Sequence, residues 1–120
     1  MRKELEKFEK EFNELKINDN NNEFWLSSDL MNFLGYKSWD KFFRVIIKAM
    51  DLCLRNEKNV NDLFIPILSY DISGFLFDYN IEGYKLNKNA CYLIFMEASD
   101  KYDNVRLGKE YIEYKKISLD

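Results

Sequence analysis

Apolar residues near the start of the chain recur at spacings of three and four, a period that predicts an amphipathic α-helix. The series runs through residues 3 to 16 as Leu5, Phe8, Phe12 and Leu15, with Lys and Glu filling most other positions. A seam this narrow can pack on the rest of the chain or on a second copy, so a homodimer through this helix is one alternative. Residues 18 to 22 read NDNNN, lack any period and predict a loop.

The next segment predicts a short strand followed by two helices with a tight turn between them. Residues 23 to 26 are expected to form the strand, and Ser27 or Ser28 can cap a helix that ends at Gly35. Ser38 can cap a second, longer helix. Two helices joined in this way are typical of a helix-turn-helix unit, although many helical hairpins share the pattern.

The longer helix, from about residue 39 to about residue 54, separates apolar from basic side chains when it is projected at about 100° per residue. Its predicted apolar face consists of Trp39, Phe42, Phe43, Ile46, Ile47, Met50, Cys53 and Leu54. The opposite face carries a basic stripe, which we define as Lys37, Lys41, Arg44, Lys48 and Arg55. Val45 and Leu52 border the stripe, so it is either a partly covered face, a solvated charged face or a ligand-binding surface.

Short apolar runs replace the helical period after residue 60. Residues 64 to 68 and 75 to 77 predict a β-hairpin or two short strands, with a turn between them. Pro66 favours an edge position for the first strand because proline cannot donate to a strand ladder. Residues 84 to 86 predict a further short strand.

The last third of the chain predicts two more helices. Asn87 can cap one that runs to about Glu97, although its CYLIF run alone fits a buried strand equally well. A final helix is expected through residues 105 to 114. The predicted fold class is therefore α+β, a helix-rich domain with a small β-hairpin or short antiparallel sheet, preceded by the N-terminal amphipathic helix.

The charged residues are unevenly distributed, although the 120-residue chain has a formal net charge of only -3. Residues 37 to 58, which include the basic stripe, hold six basic and three acidic side chains, whereas residues 61 to 82 hold four acidic side chains and no basic one. A net negative protein needs a local positive patch to bind a phosphate backbone. The same polarisation would also steer a partner of mixed charge.

The composition argues against catalysis, metal binding and membrane insertion. The chain has no histidine and two cysteines, Cys53 and Cys91, which both lie among apolar residues. These residues cannot form an ordinary zinc site or a Ser-His or Cys-His pair, so we expect no catalytic residue, no metal and no cofactor. No apolar run approaches the roughly 20 residues of a membrane span and the N-terminus alternates charges, so we expect a cytoplasmic protein without a membrane partner.

Three stretches of the chain, taken in order, match the pattern of a known family. They are FWLSSDL at 24–30 with LGY at 34–36 and WDKF at 39–42, then NVNDLF at 59–64, then YKLNKNACYLI at 84–94. These stretches resemble the N-terminal part of the BRO-N and DinD-like family of phage antirepressor proteins. On this basis the chain divides into an N-terminal helix with its Asn-rich loop, residues 1–22, and a BRO-N/DinD-like domain, residues 23–120.

The resemblance implies a compact α+β domain, found in phage antirepressors, virus-encoded DNA-binding proteins and a bacterial DNA-damage-induced protein, and no catalytic residue. It also implies that the stretch after Asn87 is a helix. Longer family members add a second domain after the region that ends here near Leu119, and we expect this chain to lack it. The predicted hairpin lacks the basic and glycine-rich residues of a nucleic-acid-contacting wing, and EASDKYD at 97–103 replaces the family's NGDPRK-like turn.

Two functions are compatible with these observations. In the first, the chain is a non-enzymatic, nucleic-acid-binding regulator of the antirepressor type, and its basic stripe contacts DNA phosphates. In the second, it is a small acidic inhibitor of a nucleic-acid-handling protein, such as a repressor or an anti-CRISPR target, and Asp71, Asp78 and Glu82 enter a basic channel. A metal-dependent nuclease using the same three carboxylates is a weaker alternative, because carboxylates alone do not establish a metal site.

Overall fold

The computed structural model describes residues 1–73 and 76–119, and for 71–73 and 76–78 it describes the backbone alone. Its elements are α1 (Lys3–Glu14), β1 (Ile17–Asp19), β2 (Asn22–Leu26), α2 (Ser27–Leu34), α3 (Trp39–Arg55), α4 (Val60–Leu63), β3 (Phe64–Ser73), β4 (Leu76–Leu86), α5 (Lys88–Glu97) and α6 (Asp103–Lys115). The strands form one antiparallel sheet in the order β1-β2-β4-β3. The predicted α+β class is confirmed.

The seam of α1 packs on the same chain. Leu5, Phe8 and Phe12 are all buried. The Phe12 ring stacks on Trp25 with 4.7 Å between ring centroids, and Trp25 Nε1 donates a hydrogen bond of 2.8 Å to the Phe12 carbonyl. Of the two alternatives for this helix, the structure has intramolecular packing, so a homodimer would need other residues of α1. The helix also shares one core with residues 23–119, on the other side of the predicted division at residue 22.

The Asn-rich segment forms a hairpin, so the predicted loop over residues 18 to 22 is confirmed for Asn20 and Asn21 and wrong for Asn18, Asp19 and Asn22. β1 pairs with β2 as far as Asp19 opposite Asn22. Asn20 and Asn21 connect the strands with φ angles of 50° and 70°. Two consecutive positive φ angles are those of a type I′ turn, whose twist matches that of the strands, and asparagine tolerates this region well.

Neither candidate serine caps α2. The helix begins at Ser27, and its N-cap residue, Leu26, makes no side-chain hydrogen bond. Ser27 is buried, and its hydroxyl accepts a hydrogen bond of 3.0 Å from the Tyr84 backbone N–H. β4 passes so close that a Cβ added at Gly83 would lie 2.9 Å from Ser27 Oγ. Ser27 therefore joins the helical body to the long hairpin.

The β3/β4 hairpin is longer than the sequence predicts. The two strands pair throughout their described length, so the predicted strand at 84–86 is the end of β4. β3 also extends to Ser73, through most of the stretch whose residues predict a turn. The predictions for Gly74 and Phe75 lie outside the described residues. β3 is an edge strand, as Pro66 predicts.

The CYLIF run lies in a helix, α5, as the family resemblance implies. Asn87 caps this helix, because its Oδ1 accepts a hydrogen bond of 2.8 Å from the Ala90 N–H. All residues from Ala90 to Phe95 are buried, which explains why the segment has no clear helical period. The predicted final helix is confirmed as α6. None of the helices in the described part of the chain combines the length and apolarity required to cross a bilayer.

Candidate nucleic-acid interface

The start of α3 is fixed by the turn that precedes it. Gly35 ends α2 with a φ of 100°, a left-handed conformation that favours glycine. A side chain there would also meet the Tyr102 ring, 2.9 Å from the position of an added Cβ. Ser38 then caps α3, and its hydroxyl accepts a hydrogen bond of 3.4 Å from the Lys41 N–H. The predicted cap and the helix-turn-helix-like order are confirmed.

The buried face of α3 is rotated from the predicted one. Its buried residues are Phe42, Val45, Ile46, Ala49 and Cys53, and the helix packs mainly on α5. Ile47 and Leu54, which the projection assigns to the apolar face, are 48% and 62% exposed. Apolar residues cover more than half of the helix circumference, and one neighbouring helix can bury only part of that arc. The prediction is therefore wrong for these two residues.

The basic stripe is exposed along its whole length. Lys37, Lys41, Arg44, Lys48 and Arg55 all have exposed side chains. Arg55 pairs with Asp51 one turn earlier, with 3.0 Å between Nη2 and Oδ2. Within residues 1–73 and 76–119, Lys41, Arg44 and Lys48 form no ion pair. Lys37 likewise forms no ion pair within that range. Lys41, Arg44 and Lys48 lie at the centre of the stripe, with their charges available to a ligand.

One edge of the stripe is closed by protein, as its bordering residues predict. Val45 is only 8% exposed, and Leu52 is partly buried. Asp40 and Asp51 are exposed at the other edge, next to Arg44 and Arg55 in a helical projection. The stripe is thus a narrow positive surface. A linear polyanion fits such a surface better than a broad anionic surface does.

The three hairpin carboxylates do not form a described site. Glu82 is exposed in β4. The backbones of Asp71 and Asp78 pair with each other, but their side chains lie outside the described residues. In the part of the chain that the structure describes, no three residues among Cys, Asp and Glu are grouped so as to hold a metal ion.

Both thiols are buried and free. Burial raises the pKa of the Cys53 thiol and raises the pKa of Cys91 well above its ordinary value. A thiol is nucleophilic as its thiolate, so these environments favour the unreactive form. The two cysteines are therefore core residues, as their apolar neighbours in the sequence predict.

A hydrogen bond between the first and last helices perturbs two further groups. The Tyr111 hydroxyl donates to Glu9 Oε2 at 2.5 Å, and this bond lowers the pKa of the Glu9 carboxyl. Lys115 acts in the same sense, with 3.4 Å between its Nζ and the same oxygen. Burial raises the pKa of the Tyr111 hydroxyl. The pair joins α1 to α6, and its role is structural.

Sequence reasoning missed one surface, the outer half of the β3/β4 hairpin. Leu68, Tyr70, Tyr79 and Ile81 are between 38% and 61% exposed there. The signal is present in the sequence, because both pairs are spaced two residues apart, which is the period of a strand face. Asp71, Ser73 and Gly74 favour a turn instead, and they obscure this strand period.

These observations define the class of protein. It is an α+β domain in which a helix-turn-helix-like turn precedes a helix with a basic face. The chain is 28% identical over 101 residues to DNA damage-inducible protein D of Escherichia coli (strain K12), a similarity that supports a DinD-like relation. The match covers 83% of this chain and 37% of that protein, so this chain spans little more than a third of its relative. No protein-family profile and no solved structure matches the chain.

Proposed function

We propose that this protein is a non-enzymatic regulatory domain of the antirepressor type that contacts nucleic acid through the basic stripe of α3. The observation that carries the proposal is the exposure of Lys41, Arg44 and Lys48 without an ion-pair partner in the described chain. The relation to DNA damage-inducible protein D supports a regulatory role connected with DNA damage or phage. Binding is favoured over catalysis because the chain has no histidine and because burial raises the pKa of both thiols, which disfavours the nucleophilic thiolate.

The spacing of the three cations suits a phosphate backbone. At a rise of about 1.5 Å per residue, Lys41 and Lys48 lie about 10 Å apart along α3. One DNA strand presents about three phosphates over that length, at about 3.4 Å each along the axis. Contacts of this kind position the protein on the nucleic acid and carry no sequence information by themselves.

The proposal is tested with a triple variant that combines Lys41→Ala, Arg44→Ala and Lys48→Ala, in a DNA-binding titration at several salt concentrations. Affinity should fall for every DNA sequence, and the slope of log affinity against log salt should decrease by about 0.9 for each lost contact. Removing three exposed cations leaves the core intact, so the melting temperature should change little.

A matched control removes the same charge elsewhere. Lys3, Lys10 and Lys88 are exposed and lie outside the stripe, and their replacement by Ala should leave affinity close to that of the unmodified protein. Equal losses from both triple variants would show that net charge, and not the stripe, attracts DNA. Absence of binding at about 50 mM salt would reject the proposal outright.

A second function, inhibition of a nucleic-acid-handling protein, is favoured by one specific observation. The segment of residues 61 to 82 has four acidic and no basic side chains, and it includes most of the exposed hairpin. Such a segment complements the basic channel of a repressor or of a nucleic-acid-guided nuclease. Reversing Asp71, Asp78 and Glu82 to Lys should abolish inhibition, whereas the triple replacement in the stripe should leave inhibition intact.

A further inference from the structure

The exposed side of α3 carries a charge pattern that phosphate binding does not explain. The buried residues of this helix centre near Ala49, and the side chains on the opposite side are all exposed. Acidic and basic residues alternate there at spacings of four, seven and four, as Asp40, Arg44, Asp51 and Arg55. At 3.6 residues per turn these four lie within about 60° of one another around the helix. We call this row the charged crest.

Ion pairs within α3 satisfy only half of the charged crest. Asp51 and Arg55 are one turn apart and pair, with 3.0 Å between Oδ2 and Nη2. Asp40 and Arg44 have the same spacing, yet neither forms an ion pair within residues 1–73 and 76–119. Both of these side chains are exposed. The charges of Asp40 and Arg44 are thus available to a partner.

The order of the charges makes the crest complementary to a reversed copy of itself. When two such helices pack antiparallel about a two-fold axis at the middle of the crest, Asp40 lies at the level of Arg55 of the second copy. Arg44 then lies at the level of Asp51 of the second copy. The symmetry repeats each contact, so every charge of the crest meets an opposite one. A parallel arrangement in register instead places every charge opposite its own equivalent, and like charges repel.

The middle of the crest is apolar. Ile47 lies next to the two-fold axis of this arrangement and is 48% exposed. Leu54, two turns later on the same side of α3, is 62% exposed. An antiparallel two-fold arrangement brings the same side of both helices together, so Ile47 of one copy meets Ile47 of the other. A charged rim around an apolar centre is the usual composition of a protein interface.

We propose that the charged crest is the contact surface of a two-fold, antiparallel dimer of this chain. Charge complementarity selects a second copy, because the partner must carry acidic and basic residues in the reverse order, and α3 itself does so. One helix from each copy buries less than the about 800 Å² per partner of a standard interface, so we expect a weak dimer with a dissociation constant of about 10 μM to 1 mM. This inference goes beyond the proposed function and does not depend on it.

Two cations of the basic stripe stay accessible in such a dimer. Lys41 and Lys48 lie about 50° to 70° from the middle of the crest around the helix. The two-fold axis places those of both copies on the same side of the dimer, in a row about 20 Å long at 1.5 Å per residue. A nucleic acid on the crest itself would instead meet Asp40 and Asp51, whose carboxylates repel phosphate. The dimer therefore extends the positive surface without covering it.

The test measures self-association of the full chain by sedimentation equilibrium at up to about 1 mM protein. Arg44→Asp and Asp51→Arg each place like charges opposite each other across the axis, so each should weaken the dimer by about tenfold or more. An equimolar mixture of R44D and D51R restores opposite charges at every contact and should dimerise about as tightly as the unmodified protein. The matched control, Lys10→Asp, makes the same charge change at an exposed position of α1 and should alter the dissociation constant by less than about twofold.

Four results would overturn the inference. They are a monomeric unmodified protein at about 1 mM, unchanged association of R44D or D51R, an equal loss in the Lys10 control, and failure of both the mixture and the double variant R44D/D51R to dimerise. Restoration by mixing also excludes unfolding as the cause of a loss, because two unfolded variants would not restore each other.

Nucleic acid as the occupant of the crest gives a different set of results. A monomeric protein whose DNA affinity falls in R44D and rises in D51R would place DNA on the crest and overturn the dimer. If the crest joins two copies, the double variant K41A/K48A should weaken DNA binding and leave the dimer intact. The same variant therefore separates the nucleic-acid proposal from the dimer.

Discussion

The aromatic core of the helical body and the outer half of the β3/β4 hairpin are built from similar residues with opposite exposure. In the body, Phe12 stacks on Trp25 and both are nearly inaccessible. In the hairpin, Tyr70 lies opposite Tyr79, and the two are 61% and 55% exposed. The body surrounds its rings with helices on several sides, whereas the outer half of the hairpin has one layer. The same residue types therefore stabilise the fold in one region and stay exposed to solvent in the other.

The largest expected effect is the difference in stability between a substitution in the helical body and one in the hairpin. Phe42 is completely buried in the body, so its replacement by Ala should lower the free energy of unfolding by about 3 to 5 kcal/mol. Tyr79→Ala, in the outer half of the hairpin, should cost about 1 kcal/mol or less, the value of a cross-strand pair. Urea denaturation measures both. Similar losses in the two variants would contradict this contrast and show that the hairpin is as much a part of the core as α3.

Substitutions at Ser27 and Gly83, where the helical body meets the hairpin, should have a smaller effect on the free energy of unfolding. Their effects should also be non-additive. Ser27→Ala leaves the Tyr84 N–H without its acceptor and should cost about 1 to 3 kcal/mol. Gly83→Ala forces a methyl group against the Ser27 hydroxyl and should cost a similar amount. In the double variant the hydroxyl is gone, so the loss should be smaller than the sum of the single losses. Strict additivity in urea denaturation would argue against this geometry, and Ser28→Ala is the exposed control.

The smallest expected effect is a pH dependence of stability that arises from the helical body alone. The folded-state pKa of Glu9 is lowered, so its stabilising contribution is complete above the ordinary value of 4.5 and is lost as pH falls through the lowered pKa. Tyr111→Phe removes the main cause, so it should cost about 1 kcal/mol at neutral pH and less in acid. Thermal melts between about pH 3 and pH 7 measure the difference, and the half-exposed Tyr114→Phe is the control. If the difference in stability between Tyr111→Phe and the unmodified protein is constant across that range, the hydrogen bond to Glu9 is not its source.

Local signals are sufficient for three of the helix ends. Ser38 and Asn87 cap α3 and α5 as predicted, and Gly35 adopts the left-handed conformation that its position after α2 requires. A cap depends on residues within one turn of each other, so the chain alone contains the information. The CYLIF helix is different, because it is buried on all sides and periodicity cannot distinguish it from a strand.

Tertiary context decides what local sequence cannot. Ser27 stands where a helix cap is expected, but its hydroxyl is used by a strand 57 residues away. Ile47 and Leu54 resemble core residues in a helical projection, yet both side chains are exposed. The candidate site is predicted as a row of cations on one helix face, with its exposure left open, and the structure has all five residues exposed. The pairing of Arg55 with Asp51 depends on side-chain geometry. Whether the stripe binds nucleic acid stays a prediction.

The position of α1 has a consequence for synthesis of the protein on the ribosome. Phe8 contacts the rings of Phe95 and Tyr111, and Glu9 bonds to Tyr111 across 102 residues of sequence. Because α1 precedes α6 in the chain, the apolar seam of α1 is covered only after α6 has been translated. Long-range contacts of this kind form slowly, and the uncovered seam is open to aggregation or chaperones in the meantime. Folding of the nascent chain is thus completed only after Tyr111 has left the exit tunnel.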